Sequence, residues 1–181
     1  MDTQNILIDI FRYFAKFIGR DGVLRNFTAG KGDAYTELKS HCQVLPEAGS
    51  FPDITDYVFG VNESSVEKRI NNIKGIYLFI DYGNFLTSRN ANNVKIDELH
   101  LAVTVAKPLN IETVDLAAEV LLADRLLNII RTIRRRLIDD KDDNFVRRLT
   151  FPSEITPWYS RELNNSTGWT MLFKLTGVDL L

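Results

Sequence analysis

Residues 112–139, ETVDLAAEVLLADRLLNIIRTIRRRLID, run without a glycine or a proline and are rich in Leu, Ala, Glu and Arg. A stretch of that composition prefers to be helical, and at 1.5 Å per residue it is roughly 40 Å long. Nothing else in the chain constrains the fold as strongly, because so long a helix must lay its apolar stripe on something. Leu116, Val120, Ala123, Leu127, Ile130 and Leu137 lie near one stripe, which Leu121, Leu126, Ile129 and Ile133 broaden. Glu112 and Asp115 near the start, and Arg131, Arg134, Arg135 and Arg136 in the last turns, suit the helix dipole. The helix is longer than a small sheet is wide, so one end is expected to overhang.

The surface under the helix is written in period two. In GIYLFIDYGNFLTS, Ile76, Leu78, Ile80 and Tyr82 point one way, and Tyr77, Phe79 and Asp81 the other. In DELHLAVTVAK, Leu99, Leu101, Val103 and Val105 share a face opposite His100, Ala102, Thr104 and Ala106. Two such strands around the polar loop Ser88–Asn93 form a hairpin, closed by Pro108. That loop is expected to be mobile in a free subunit and ordered in an assembly. Residues 54–61 read as a short strand, and Ser64-Ser65-Val66-Glu67 as a capping box opening a helix to about Ile73. Residues 145–151 (FVRRLTF) read as another strand, and Pro152 and Pro157 bracket a loop holding Trp158 and Tyr159. In the last strand Trp169, Met171, Phe173 and Leu175 alternate with Thr170, Leu172, Lys174 and Thr176. It belongs inside the sheet or on a covered edge, since an open apolar edge pairs with other chains.

Residues 4–18 predict an amphipathic helix on Leu7, Ile10, Phe11, Phe14, Phe17 and Ile18, stopped by Gly19 and Gly22. Residues 19–53 are irregular, with room for a short helix or strand within 34–45. The expected organisation is one domain, 1–181: the N-terminal helix and irregular segment over 1–53, and a sheet-and-long-helix core over 54–181. Strands, then a helix, then strands argue for α+β. The expected sheet is mostly antiparallel, with the long helix packed on one face. A chain of 181 residues buries enough surface to fold without disulfide or metal. Its single cysteine, Cys42, excludes an internal disulfide framework and fits a reducing compartment. The opening MDTQNILIDIFRYF lacks a basic lead and is broken by charges, so neither a signal peptide nor a membrane span is expected. The Asn-x-Ser/Thr triplets at Asn26, Asn62, Asn164 and Asn165 therefore carry no glycosylation meaning.

Chemistry is hard to find. AGKGDAY resembles a phosphate loop, but Gly32 stands where Ser or Thr is needed, and a turn is the plainer reading. The two histidines are His41 and His100. His41 and Cys42 are adjacent and point apart, and His100 has no Cys, Asp or Glu at ligand spacing, so a structural histidine is expected. Asp139, Asp140, Asp142 and Asp143 lack the glycine and glutamate of a calcium loop and read as a solvated helix end. The net charge of -2 argues against general nucleic-acid binding. Arg131, Arg134, Arg135 and Arg136 form the one basic stretch, and the aspartates after it oppose phosphate. Trp158, Tyr159 and Trp169 suit a core or an interface better than base stacking. No enzyme site, metal or cofactor is expected.

The order of elements resembles the tail-terminator and tail-completion (neck ring) proteins of bacteriophages, which are related to cap proteins of contractile injection systems. The likeness runs over about 54–181. It is carried by IYLFIDYGNF, DELHLAVTVA, VDLAAEVLLADRLLNIIRTIRRRL and GWTMLFKLTGVDLL, with Leu175-Thr176-Gly177-Val178-Asp179 matching the closing phrase of that group. The resemblance implies a non-catalytic virion subunit of a neck or tail, made in the cytoplasm of a bacterial host. It would ring up with copies of itself, beside neck, portal-adaptor or tail proteins, with genome DNA passing through the lumen without specific binding. A ring needs two different patches on each subunit. One is expected at an overhanging helix end carrying the Arg cluster and DDKDD. The other is expected on the N-terminal helix or the free edge of the last strand. Arg131, Arg134, Arg135, Arg136, Asp139, Asp140, Trp158 and Tyr159 are the candidate interface residues. The alternatives are a small nucleic-acid-binding module using Arg131–Arg136, and a ligand site or enzyme cleft near His100.

Overall fold

The computed structural model describes residues 5–61, 63–109, 115–143 and 145–177. In chain order the elements are α1 (Ile6–Ala15), α2 (Arg20–Leu24), α3 (Asp33–Gln43), β1 (Ile54–Phe59), α4 (Glu63–Ile70), β2 (Ile76–Arg89), β3 (Lys95–Pro108), α5 (Leu116–Asp139), a single 3-10 turn (Val146–Arg148), β4 (Leu149–Ser160) and β5 (Ser166–Gly177). The strands make one five-stranded sheet in the order β1-β2-β3-β5-β4. The fold is α+β, and the sheet is mixed: β1 pairs parallel with β2, while the other three pairings are antiparallel. Parallel neighbours need a crossover, and α4 supplies it. Asn62, Glu112 and the closing Val178, Asp179, Leu180 and Leu181 lie outside the described residues.

Two layers of helix sandwich the sheet. The inner face buries Ile76, Leu78 and Ile80 of β2, Leu99, Leu101, Val103 and Val105 of β3, and Met171, Phe173 and Leu175 of β5. It is covered by Ile10, Phe11 and Phe14 of α1 and by Leu126, Ile129, Ile130, Ile133 and Leu137 of α5. On the outer face Val66 and Ile70 of α4, with Ile73, cover Tyr77, Phe79 and Ala106. The first five residues of β2 are therefore buried on both sides, which is why they read as an unbroken apolar run. Thr104 and Thr170, opposite each other on β3 and β5, share a buried hydrogen bond of 2.6 Å on that outer face. The pairing shifts between Tyr82 and Phe85. This bulge keeps both rings toward the inner core although they are three apart in sequence.

AGKGDAY is a turn, as read from the sequence, with Gly32 at a φ of 106°, and it leads into α3, the short helix allowed within 34–45. Other sequence expectations change. Segment 19–53 holds a further helix, α2. Ser64 sits inside α4 rather than capping it. The hairpin strands run to Arg89 and from Lys95, and Asn90 closes the short turn by accepting from the backbone N–H groups of Asn92 and Val94. Phe145 and Val146 are buried at the 3-10 turn, not in a strand. The strand begins at Leu149 and runs through Pro152 and Pro157, where a loop was expected. Strand β4 is an outer strand, and Pro152 falls where its pairing with β5 shifts, between Thr150 and Glu154; a residue without an N–H fits a sheet at such places.

The last strand lies inside the sheet, between β3 and β4, so it offers no free edge for a ring contact. The edges are β1 and β4. On β1 the carbonyls of Thr55 and Tyr57 both face the α2 segment: a Cβ on Gly22 would run into Thr55 O, and Asn26 Nδ2 donates to Tyr57 O at 2.9 Å. One edge is thus covered and the other carries two prolines. Both are devices that stop sheets from adding strands from other chains.

Candidate assembly surface on the long helix

Asp115 caps α5, its carboxylate accepting from the Ala118 N–H at 2.8 Å. The buried stripe is Leu126, Ile129, Ile130, Ile133 and Leu137. It is rotated from the stripe expected from the sequence: Leu116 and Val120 fall off its edge, and Leu126, Ile133 and Leu137 form its centre. The first turns stand uncovered, with Leu116 75%, Val120 60% and Leu121 73% exposed. The last tethers before this overhang are Trp169 Nε1, donating to Ala123 O at 3.0 Å, and an Arg125–Asp53 ion pair at 2.6 Å.

The overhang is thus at the N-terminal end of α5, not at the arginine-bearing end as expected. The C-terminal end is pinned to α1. Asp140 accepts from Tyr13 Oη at 2.9 Å and from Lys16 Nζ at 2.7 Å, and Lys16 Nζ stands 3.6 Å from the Tyr13 ring centre. Burial alone would raise the Asp140 pKa, but the bonds from Lys16 and Tyr13 and the charges of Lys16 and Arg136 outweigh it and hold the carboxyl low. The Tyr13 phenol is pushed up, first by burial and then by Asp140.

The candidate interface residues do not form one patch. Arg134 turns inward, its Nε donating to Ser153 Oγ at 2.9 Å, and Arg136 pairs with Asp140 at 3.3 Å. Asp140 is taken up by Tyr13 and Lys16 of the same subunit. Arg131, Arg135 and Asp139 are exposed, and neither arginine carries an ion pair to another described residue. Trp158 packs against the α4 core on the far side of the sheet from α5, while Tyr159, next along the strand, is exposed. The basic stretch is therefore half committed to the subunit's own packing, which weakens the nucleic-acid reading.

The other candidates resolve as follows. Cys42 is buried and its thiol is pushed up to about 11 by burial, against the opposing charge of Arg12. His41 is exposed on the next position of α3, its pKa lowered by partial burial and then by Arg12. His100 does have a carboxylate partner: its Nε2 lies 2.6 Å from Glu98 Oε1, and Lys174 Nζ lies 2.8 Å from the same oxygen. Residues two apart on a strand share a face, so strand alternation in the sequence already carries this pairing. The hydrogen bond from Lys174, then that from His100, holds Glu98 low. Asp143 accepts from the Phe145 N–H at 2.8 Å, and Asp142 pairs with Arg147 at 3.7 Å. Among the described residues no three His, Cys, Asp or Glu side chains converge as a metal site would need, and no helix is long and apolar enough to cross a membrane. No family model matches the chain, and neither a curated protein nor a solved structure does.

Proposed function

We propose that this chain is a structural subunit of a phage neck or tail, of the tail-terminator or tail-completion kind, working as a ring of identical copies and without catalysis. The observation that carries the reading is the apolar overhang at Leu116 and Val120. Apolar surface left open beside polar surroundings marks a site of association. A ring joins two unlike patches. The second patch in this reading is the open half of the outer sheet face, where Leu86 and Leu172 stand exposed beside the His100–Glu98–Lys174 cluster. Covered and proline-bearing edges favour side-chain contacts over strand addition. Neighbours in the virion would be copies of this chain and adjoining neck, portal-adaptor or tail proteins, with DNA in the lumen.

Light scattering of the purified full chain over a concentration series, at two salt levels, tests the reading. The expected result is a closed ring of fixed copy number, or ordered growth into tubes, lost in Val120→Glu. A mass that stays at the monomer, or stops at a dimer, overturns it.

A further inference from the structure

The solvent side of α5 carries a second pattern. Leu121, Asp124, Asn128, Arg131, Arg135 and Ile138 are all exposed. Their spacings alternate between three and four, the repeat of a coiled-coil seam. At 100° per residue this line stands opposite the buried stripe centred on Leu126 and Ile133. It is also graded: an apolar end, an acid, an amide, two bases, an apolar end.

Read backwards, the line complements itself. Against an antiparallel copy whose dyad lies between Ile129 and Ile130, Leu121 meets Ile138, Asp124 meets Arg135, and Asn128 meets Arg131. A parallel pairing would set Asp124 on Asp124 and arginine on arginine, which repels. We propose that α5 pairs antiparallel with α5 of a second copy across this seam, in a two-fold contact.

The side chains are free to do so. Arg131 and Arg135 have no ion pair to another described residue. Asp124 receives one bond, from Asn128 Nδ2 at 3.1 Å on Oδ2, which leaves its other oxygen open. The flanking Arg125 and Arg136 are held by Asp53 and Asp140 and do not compete for it. A seam with polar layers at its middle sets register and direction more than strength, so the contact is weak and salt-sensitive. It goes beyond the ring reading and does not rest on it: a two-fold contact can join two rings face to face or make a simple dimer.

Sedimentation equilibrium of the full chain, of Asp124→Arg, of Arg135→Asp and of the double variant tests the seam. The parent should self-associate less at high salt, and each single swap should weaken the dimer by roughly tenfold or more, as like charges facing across an interface do. The double swap restores opposite charges and should return affinity close to the parent's. A second measurement uses Leu121→Cys with Ile138→Cys. Within one helix these positions are roughly 25 Å apart, so a disulfide can close only between chains. Oxidation should give one dimer band. A parent that does not self-associate, a double swap as weak as the singles, or a ladder of linked chains overturns the proposal.

Discussion

At Asp140 a single carboxylate joins α1 to the end of α5, through Tyr13 and Lys16. Its folded pKa is depressed, so the stability it supplies is complete above the unfolded value of about 3.9. That stability is lost as pH falls through the lower folded value. Asp140→Asn should therefore cost about 1–3 kcal/mol at pH 7. Urea unfolding should show the gap from the parent holding at neutral pH and closing below about pH 4. A gap of the same size at pH 3 would remove the carboxylate from this role. None of this was legible in DDKDD, which reads as a solvated charge run because a sequence does not show which aspartate lies beside α1. The Glu98–His100 pair was half legible, since strand alternation places both on one face. Lys174 was not, because it arrives through the β3–β5 register, where it sits opposite His100.

At the scale of the element, α5 was visible as a helix and misread in orientation. Apolar residues occupy so much of its circumference that periodicity admits several stripes, and the sheet beneath selects one. Truncation separates the positions that pack from those that wait for a partner. Leu126 is fully buried, and Leu126→Ala should cost about 2–5 kcal/mol by denaturant unfolding. Leu121→Ala should change monomer stability by no more than about 0.5 kcal/mol. Equal costs at the two sites would mean that the overhang is packed in the subunit itself. The hairpin was read correctly because alternation is strong where one face is core. Strand β4 was missed because Pro152 and Pro157 signal a loop in any strand except an outer one, and which strand is outermost is a property of the sheet. The parallel pairing of β1 was hidden for the same reason.

For the molecule as a whole, the order β1-β2-β3-β5-β4 places β5, made after β4, between β3 and β4. A chain cut after Ser160 keeps β4 but has nothing to join it to β3. It should leave the apolar face and open edge of β3 exposed and collect in the insoluble fraction. Soluble, cooperatively unfolding protein from that truncation would show that the sheet can close another way. The same arrangement sets a clock on biosynthesis. Roughly 60 residues separate the end of β3 from the start of β5, which at ~5–20 residues per second is roughly 3–12 s of translation. Throughout that interval the ribosome holds out a half-built sheet whose next strand has not been made. Slow codons between residues 109 and 165 would lengthen the exposure, and chaperones that shield nascent strands would matter most in those seconds.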